Sequence, residues 1–398
     1  MKRYLSGIPS IRFKDLYNGK NKMESTFPFN HKRCQYYFSA RYALAGGLKA
    51  IGINPGEKVL IPSYNCGVEL GPFYHFNIEP VFYKVDKNLR VDIEELVRIK
   101  DKNIKALMIT HYLGFPQEID EIEKYCKEKN IYLIEDCAHS FLSNFKEQQL
   151  GSYGDIAFFS ILKTLPVPNG GLLIINRDEL NYNLEKEKPN IFTTMSHMIE
   201  LYHLKTFSDN NNAKKIIEKL ISESLYLFWK NIKHLLAVYK KTINPGALYL
   251  IRPDSDYFIE NIMKWEASSF TLRIIRNTNF DSIKMIRRRN FEYLLNHFLK
   301  NERGILPFTK LPPGVCPLFF PIILESGEKR EKLYKTLKNK GVITHPWWDR
   351  FHPKVPWDEF PDAVYLKSRL FGIPIHQDLT LNHLDRVIEE FEKTYQSI

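Results

Sequence analysis

Lys163 stands in a setting that few of the chain's 57 lysines and arginines share. It follows Phe158-Phe159-Ser160-Ile161-Leu162, precedes Thr164-Leu165-Pro166-Val167-Pro168, and has Gly170-Gly171 just beyond. An amine among apolar neighbours loses hydration. Its pKa then falls, and it becomes a nucleophile able to form a Schiff base with a carbonyl. A second chemical group follows the run Ile131 to Glu135, where Asp136 and His139 stand in IYLIEDCAHS. A third is FSARYAL, where Ser39, Ala40 and Arg41 open a stretch with helical spacing. Small residues at a helix start let backbone amides face an anion, and the helix dipole adds attraction. Taken singly each has a plainer reading: a solvated lysine, an acid capping a helix, a serine N-cap.

The elements that would position these groups alternate. EKVLIPS, PVFYKV, KALMIT, IYLIED, GDIAFFS and GLLIIN are short apolar runs with strand character. Between the earlier ones lie helical segments such as DIEELVRI and EIDEIEKYCKEKN. Continuous apolar strands separated by helices predict an α/β fold around a mostly parallel sheet buried on both faces. Such sheets bind ligands beyond the carboxyl ends of their strands. The usual G-x-G-x-x-G and Walker loops are absent there. Lys163, Asp136 and the Ser39 helix start together are what pyridoxal phosphate requires: a Schiff-base lysine, a carboxylate for the pyridinium nitrogen, and a helix N-terminus for the phosphate.

The texture changes beyond Leu180. Residues 180–300 read as long, basic and helical, with polar breaks at Asp209-Asn210-Asn211-Asn212 and Asn244-Pro245-Gly246. From Gly304 a smaller α+β unit is expected, with VCPLFFPIIL and VITHP as strands, EKREKLYKTLKNKG as a helix and LNHLDRVIEEFEKTYQ as the terminal helix. The expected organisation is an N-terminal arm over 1–30, a large cofactor-binding domain over 31–250 with a helical insertion at about 180–250, connecting helices over 251–300, and a small C-terminal domain over 301–398.

Composition narrows the classes. At 398 residues and 44% hydrophobic the chain can bury a sizeable core, which excludes a disordered protein. The excess of 57 basic over 46 acidic residues gives +11, but it is diffuse, with no aromatic-interleaved basic groove, so nucleic acid is not expected as a partner. The apolar stretch Leu225 to Tyr239 is interrupted by Lys230, Lys233 and His234, so membrane insertion is not expected either. The start MKRYLSGIPSIRFKD does not read as a signal peptide. Cys34, Cys66, Cys126, Cys137 and Cys316 are odd in number and scattered. They read as reduced thiols of a cytoplasmic protein, with no metal-ligand spacing.

In order and spacing the motifs resemble those of the DegT/DnrJ/EryC1/StrS family of pyridoxal-phosphate-dependent, mostly nucleotide-sugar, aminotransferases. FSARYAL is similar to its S-G-T-x-A-L segment, and GINPGEKVLIPSYNC to its G-x-x-P-G-D-E-V-I-x-P-x-x-T segment. THYLGFPQEIDEI resembles H-x-x-G-x-P-x-x-M-D-x-I, and IYLIEDCAHS resembles V-I-E-D-A-A-Q/H-A. The stretch from GSYGDIAFFSILK to the NGG at 169–171, and FGIPIHQDLT, match further segments.

The resemblance implies the aspartate aminotransferase fold, known as fold type I for enzymes of this cofactor, a homodimer with the active site at its interface, and a role in amino-sugar or surface polysaccharide biosynthesis. It makes Lys163 the catalytic lysine that binds the cofactor and then moves the proton. Asp136 would pair with the pyridinium nitrogen and His139 would lie near the ring oxygen. Ala40 and Arg41 would supply phosphate-binding amides, and Ser160 a hydroxyl. Either Tyr64 or Cys66 would cover the ring. The implied reaction passes an amino group from an amino acid such as glutamate to a keto group on a nucleotide-linked sugar or similar anion. Alternatives are another reaction of the same cofactor, such as sugar dehydration, against which the presence of Lys163 speaks, or a cofactor-binding regulator without turnover.

Several features depart from the family pattern, among them Ser160, two residues closer to Lys163 than in most members, and a helical stretch 180–250 longer than usual. Asn169 stands where an acid is usual before Gly-Gly, Arg41 where threonine is usual, and SSFTLR (268–273) in place of N-Y-R-M. Trp347-Trp348 reads first as packing for the small domain and second as pocket lining. His376 reads as a satisfied structural histidine.

Overall fold

The computed structural model describes residues 5–11, 23–101, 103–208, 221–231 and 258–398. Its main feature is a seven-stranded sheet in the order β1-β9-β8-β5-β4-β2-β3. The strands are β1 (Cys34–Tyr37), β2 (Lys58–Pro62), β3 (Glu79–Tyr83), β4 (Ile104–Thr110), β5 (Tyr132–Asp136), β8 (Ile156–Ser160) and β9 (Gly171–Ile175). β3, β2, β4, β5 and β8 run parallel, while β9 is antiparallel to both β8 and β1. A two-stranded hairpin, β6 (Asn144–Phe145) with β7 (Gln148–Gln149), lies between β5 and β8. Strand β1 has no counterpart in the sequence reading, because CQYY is too short and too polar at its start to signal a strand by pattern.

The apolar strands are explained by burial on both sides. Leu60, Leu107, Ile109 and Leu133 join one core, shared with the C-terminal unit. Their neighbours Val59, Ile61, Ala106, Met108 and Ile134 join another, with helix α1 (Ala40–Ile51). Successive side chains of a strand point to opposite faces, so covering both faces demands apolar residues at every position.

Further helices follow the first: α2 (Leu70–His75), α3 (Ile93–Arg98), α4 (Ile119–Lys129) and α5 (Ile191–Ser208). The C-terminal part carries α6 (Ser269–Arg276), α7 (Phe280–Phe298), α8 (Gly327–Asn339), α9 (Pro361–Arg369) and α10 (Leu381–Ser397). They accompany a three-stranded antiparallel sheet in which β12 (Leu370–Pro374) lies between β10 (Phe319–Ile323) and β11 (His345–Pro346). The strand expected at VITHP is thus reduced to two residues, and β12 fills the centre instead. Residues 5–10 dock here: Leu5 N–H donates to Gly341 O and Ser10 N–H to Asp378. His376 is buried and satisfied, its Nε2 lying 2.9 Å from Ser6 O.

Of the expected insertion, α5 and a helical stretch at 221–231 are described. The polar breaks expected at 209–212 and 244–246 lie outside the described residues. No helix among the described residues is long and apolar enough to cross a membrane.

One junction sets where α1 begins. Gly170 N–H donates to Phe38 O at 2.8 Å, and Gly170 O accepts from Ile161 N–H at 3.1 Å. At Gly171 a Cβ would lie 2.2–2.5 Å from Ser39 C, Ser39 O and Ala40 N, all backbone atoms that cannot turn aside. Gly171→Ala is therefore expected to cost about 2 kcal/mol or more, above the middle of the range for an overpacked core. Urea unfolding of the variant measures this, and a loss within error of zero would show that the helix start can shift.

Candidate active site

The carboxyl ends of β5 and β8 and the start of α1 converge on one cavity of 390 Å³. From the large sheet its wall includes Asp136, His139, Ser160 and Lys163, and from the α1 start Ser39, Ala40 and Arg41. Cys66, Val68 and Glu69 form a second side. Trp347, Trp348, Asp349 and Arg350 come from the C-terminal unit and close the outer side.

Asp136 ends β5 and is 7% exposed. Its Oδ1 accepts from Ala138 N–H at 2.9 Å, and its Oδ2 from the Thr110 hydroxyl at 3.2 Å. Burial pushes its pKa up to about 6, and the Lys163 ammonium and these donors recover only part of the cost of charge. Lys163 is half-buried in the short 3₁₀ turn Ile161–Lys163 that follows β8.

His139 is buried, and its Nδ1 accepts from Leu113 N–H at 3.4 Å, which leaves the ring proton on Nε2. Leu113 presents that N–H from a left-handed conformation (φ 55°), unusual for a branched residue. Burial and then the Lys163 charge hold the His139 pKa well below its ordinary value, so the ring is neutral. It packs against both Trp347 and Trp348, with centroids 5.0 and 5.1 Å away.

The two indoles therefore line the cavity, so both readings of the pair hold for Trp347. Trp347 also meets Phe319 on β10.

At the start of α1, Ser39 occupies the N-cap with extended φ/ψ, yet its side chain makes no capping bond. The first amides of a helix have no intrahelical acceptor, so the cavity meets Ala40 and Arg41 at the positive end of the α1 dipole. Ser160 ends β8 and is 5% exposed on the same wall.

The structure separates Tyr64 from Cys66. Tyr64 is buried beneath the wall, donating its hydroxyl to Trp347 O at 2.8 Å and packing on Trp348 and Tyr112. Cys66 is on the cavity surface, its thiol donating to Glu69 Oε2 at 2.7 Å. Burial and the adjacent Glu69 push that thiol far up, so it stays protonated.

Two of the departures from the family pattern meet. Asn169 Oδ1 accepts from Ser268 N–H at 2.8 Å and from the Thr271 hydroxyl at 3.0 Å, and Thr271 also donates to Asn169 O at 2.8 Å. Asn169 and the start of SSFTLR thus form one hydrogen-bonded unit behind the Gly170-Gly171 junction. An amide supplies the acceptor here without burying a charge.

Sequence reasoning missed Glu135, Glu69, Asp349 and Arg350. Glu135 is the strand neighbour of Asp136 and faces the opposite side. Its oxygens accept N–H bonds from Gly151, Tyr153 and Gly154 and pair with His111 Nε2 at 3.0 Å. Cys137 lies close enough to make a metal-like cluster with His111 and Glu135. The bonds to loop amides, and Gln117 N–H on His111 Nδ1, instead describe a network that fixes the end of β5. No local pattern marks Glu69 or Arg350, since both belong to the site only through chain folding.

The Asp136 assignment has a pH signature in the polypeptide alone. Below pH 4 the carboxyl is protonated folded and unfolded, whereas above about 6 the folded state carries the buried charge. Its contribution to stability therefore falls as pH rises through that window, by on the order of 3 kcal/mol at about 1.4 kcal/mol per pH unit. In urea unfolding, wild type should lose this much relative to Asp136→Asn between pH 4 and pH 7. A pH-independent difference between the two would overturn the assignment.

Residues 29–214 match the DegT/DnrJ/EryC1/StrS aminotransferase family model. Over 139 residues the chain is 30% identical to a GDP-perosamine synthase of Vibrio cholerae, a stretch that covers 34% of this chain and only 38% of that one. Over 366 residues, 90% of this chain and 83% of the relative, it is 23% identical to the dTDP-4-dehydro-2,3,6-trideoxy-D-glucose 4-aminotransferase of Saccharopolyspora spinosa. Among solved structures it resembles an aminotransferase of pseudoaminic acid biosynthesis from Helicobacter pylori, with a TM-score of 0.68 over the full length of both chains at 13% identity.

Proposed function

Because residues 29–214 match the DegT/DnrJ/EryC1/StrS aminotransferase family model, we propose that this protein is a pyridoxal-phosphate-dependent aminotransferase. It passes an amino group from an amino acid, glutamate first, to a keto group on a nucleotide-linked sugar or a similar anion, in amino-sugar or surface polysaccharide biosynthesis. The observation that carries the reading is the convergence of Lys163, Asp136 and the α1 start on one cavity. The activities of the Vibrio and Saccharopolyspora relatives support the sugar class. In this reading the enzyme is cytoplasmic and works as a homodimer.

The donor set fits the cofactor on three counts. A carboxyl whose burial resists ionisation gains a partner in a protonated ring nitrogen. A Ser39 hydroxyl unused as a cap stands beside amides at a positive helix end, which suits a phosphate. A lysine amine on the same wall suits an aldehyde. Pyridoxal phosphate, when bound, supplies an electron sink that stabilises negative charge on the carbon next to the substrate nitrogen.

The chain's own residues would do the rest. Asp136 would hold the proton on the ring nitrogen. Ala40 and Arg41 amides with the Ser160 hydroxyl would bind the phosphate, and Cys66, already on the cavity surface, would cover the ring. Lys163 Nζ would hold the aldehyde and, as the base of the site, would take the proton from the donor's α-carbon. His139, neutral and fixed with its proton on Nε2, offers a hydrogen bond without adding charge. The Trp347 and Trp348 rings exclude water from the outer side.

Purified wild-type protein mixed with pyridoxal phosphate should show the visible absorption band of a lysine-bound cofactor, and L-glutamate should bleach it. Lys163→Ala should never form that band. A band that persists with glutamate and other amino donors would sink transamination, and no band in wild type would sink the cofactor as well.

A further inference from the structure

We propose that Lys367, remote in sequence from every catalytic candidate, is a positioning residue that holds the outer wall of the pocket in its substrate-binding form. The chemistry of that wall is read as in the proposed function, on which the consequence for substrate rests, whereas the wall's order does not depend on it.

Lys367 lies on α9 and is fully buried, 0% exposed. A lone buried ammonium is costly and needs compensation. Here the compensation comes from the wall: Nζ donates to Arg350 O at 2.5 Å and to Trp348 O at 3.4 Å. It also lies 4.8 Å from the centre of the Trp357 ring and 5.5 Å from that of Phe351. Burial lowers its pKa to about 8, while Glu69, Cys66 and Asp349 favour its charged form. The lysine itself is anchored from behind, since the Arg330 guanidinium on α8 donates to Lys367 O.

The segment Trp347–Arg350 has little regular structure to hold it. Beyond β11 its backbone is fastened by Trp347 N–H to Leu370 O at 3.3 Å, by Tyr64 Oη to Trp347 O at 2.8 Å, and by Lys367. Tyr64 holds the near end and Lys367 the far end, with both indoles and the Arg350 side chain facing the cavity between them. Backbone carbonyls in such a segment must find donors. One cation that serves two of them, two residues apart, fixes the curvature of the wall. Lys367 touches neither cavity nor substrate, so its removal should loosen binding more than chemistry.

The test compares wild type, Lys367→Met and Lys367→Arg, each as the full chain. Hydrogen–deuterium exchange of peptides covering 347–352, without added ligand, should be at least tenfold faster in Lys367→Met and close to wild type in Lys367→Arg. With pyridoxal-phosphate-loaded protein, the glutamate concentration that half-saturates bleaching should rise tenfold or more in Lys367→Met. Its limiting rate should stay within threefold of wild type, and Lys367→Arg should recover most of the affinity. Unchanged exchange in Lys367→Met overturns the proposal whatever the catalytic result. Faster exchange with an unchanged half-saturation overturns the role toward substrate. Exchange raised throughout the chain would make Lys367 a general fold support and overturn it too. A wild type that never takes up the cofactor leaves the exchange result to decide the wall and counts against the proposed function alone.

Discussion

The close approach of Gly171 to the backbone of Ser39 and Ala40 is the constraint on which the site depends. Through it the edge of the sheet, the start of α1 and the turn bearing Lys163 are held at one point. Gly170 bonds Phe38 on one side and Ile161 on the other, while Ser160 pairs with Gly171 across the sheet. A side chain at 171 would push the helix start away from β8 and separate the first amides of α1 from the lysine. The antiparallel course of β9 serves the same end, because it returns the chain from the Lys163 turn directly to the helix start.

Around that junction the electrostatics are uneven by design of the fold. Glu135 and Asp136 are adjacent on one strand, yet their fates differ. Glu135 has its oxygens filled by loop amides and His111. Asp136 receives one amide and one hydroxyl, too little to repay desolvation. The strand's alternation sends the first carboxylate into structure and the second into the cavity. His139 and Lys163 extend the contrast, a neutral ring and a cation sharing one wall, which keeps positive charge concentrated on the lysine and the start of α1.

Asn169 and SSFTLR look like separate exceptions along the chain, but Ser268 and Thr271 bond to Asn169. They are two halves of one arrangement that braces the glycine junction from outside. The C-terminal unit is tied in by its shared core with β2 and β4 and by the aromatic wall over His139. The cavity is therefore the product of both units.

The sequence alone determined the α/β class and the apolar strands, and it marked as candidates Lys163, Asp136, His139 and the Ser39–Arg41 helix start, which the fold brings to one cavity. These are legible because each lies within a few residues of a strand end or glycine pair whose pattern is local. Strand β1, the shortening of β11 to two residues and the central place of β12 were not legible, since CQYY carries no periodicity and tertiary pairing sets how much of VITHP joins the sheet. Nor were the places of Glu69 and Arg350 on the cavity wall, its lining by Trp347 and Trp348, or the burial of Tyr64 beneath a surface that carries Cys66. Those depend on which faces of distant segments meet. A side chain's burial and its partners are fixed by chain crossings that no short window of sequence encodes, and here only the tertiary structure decided them.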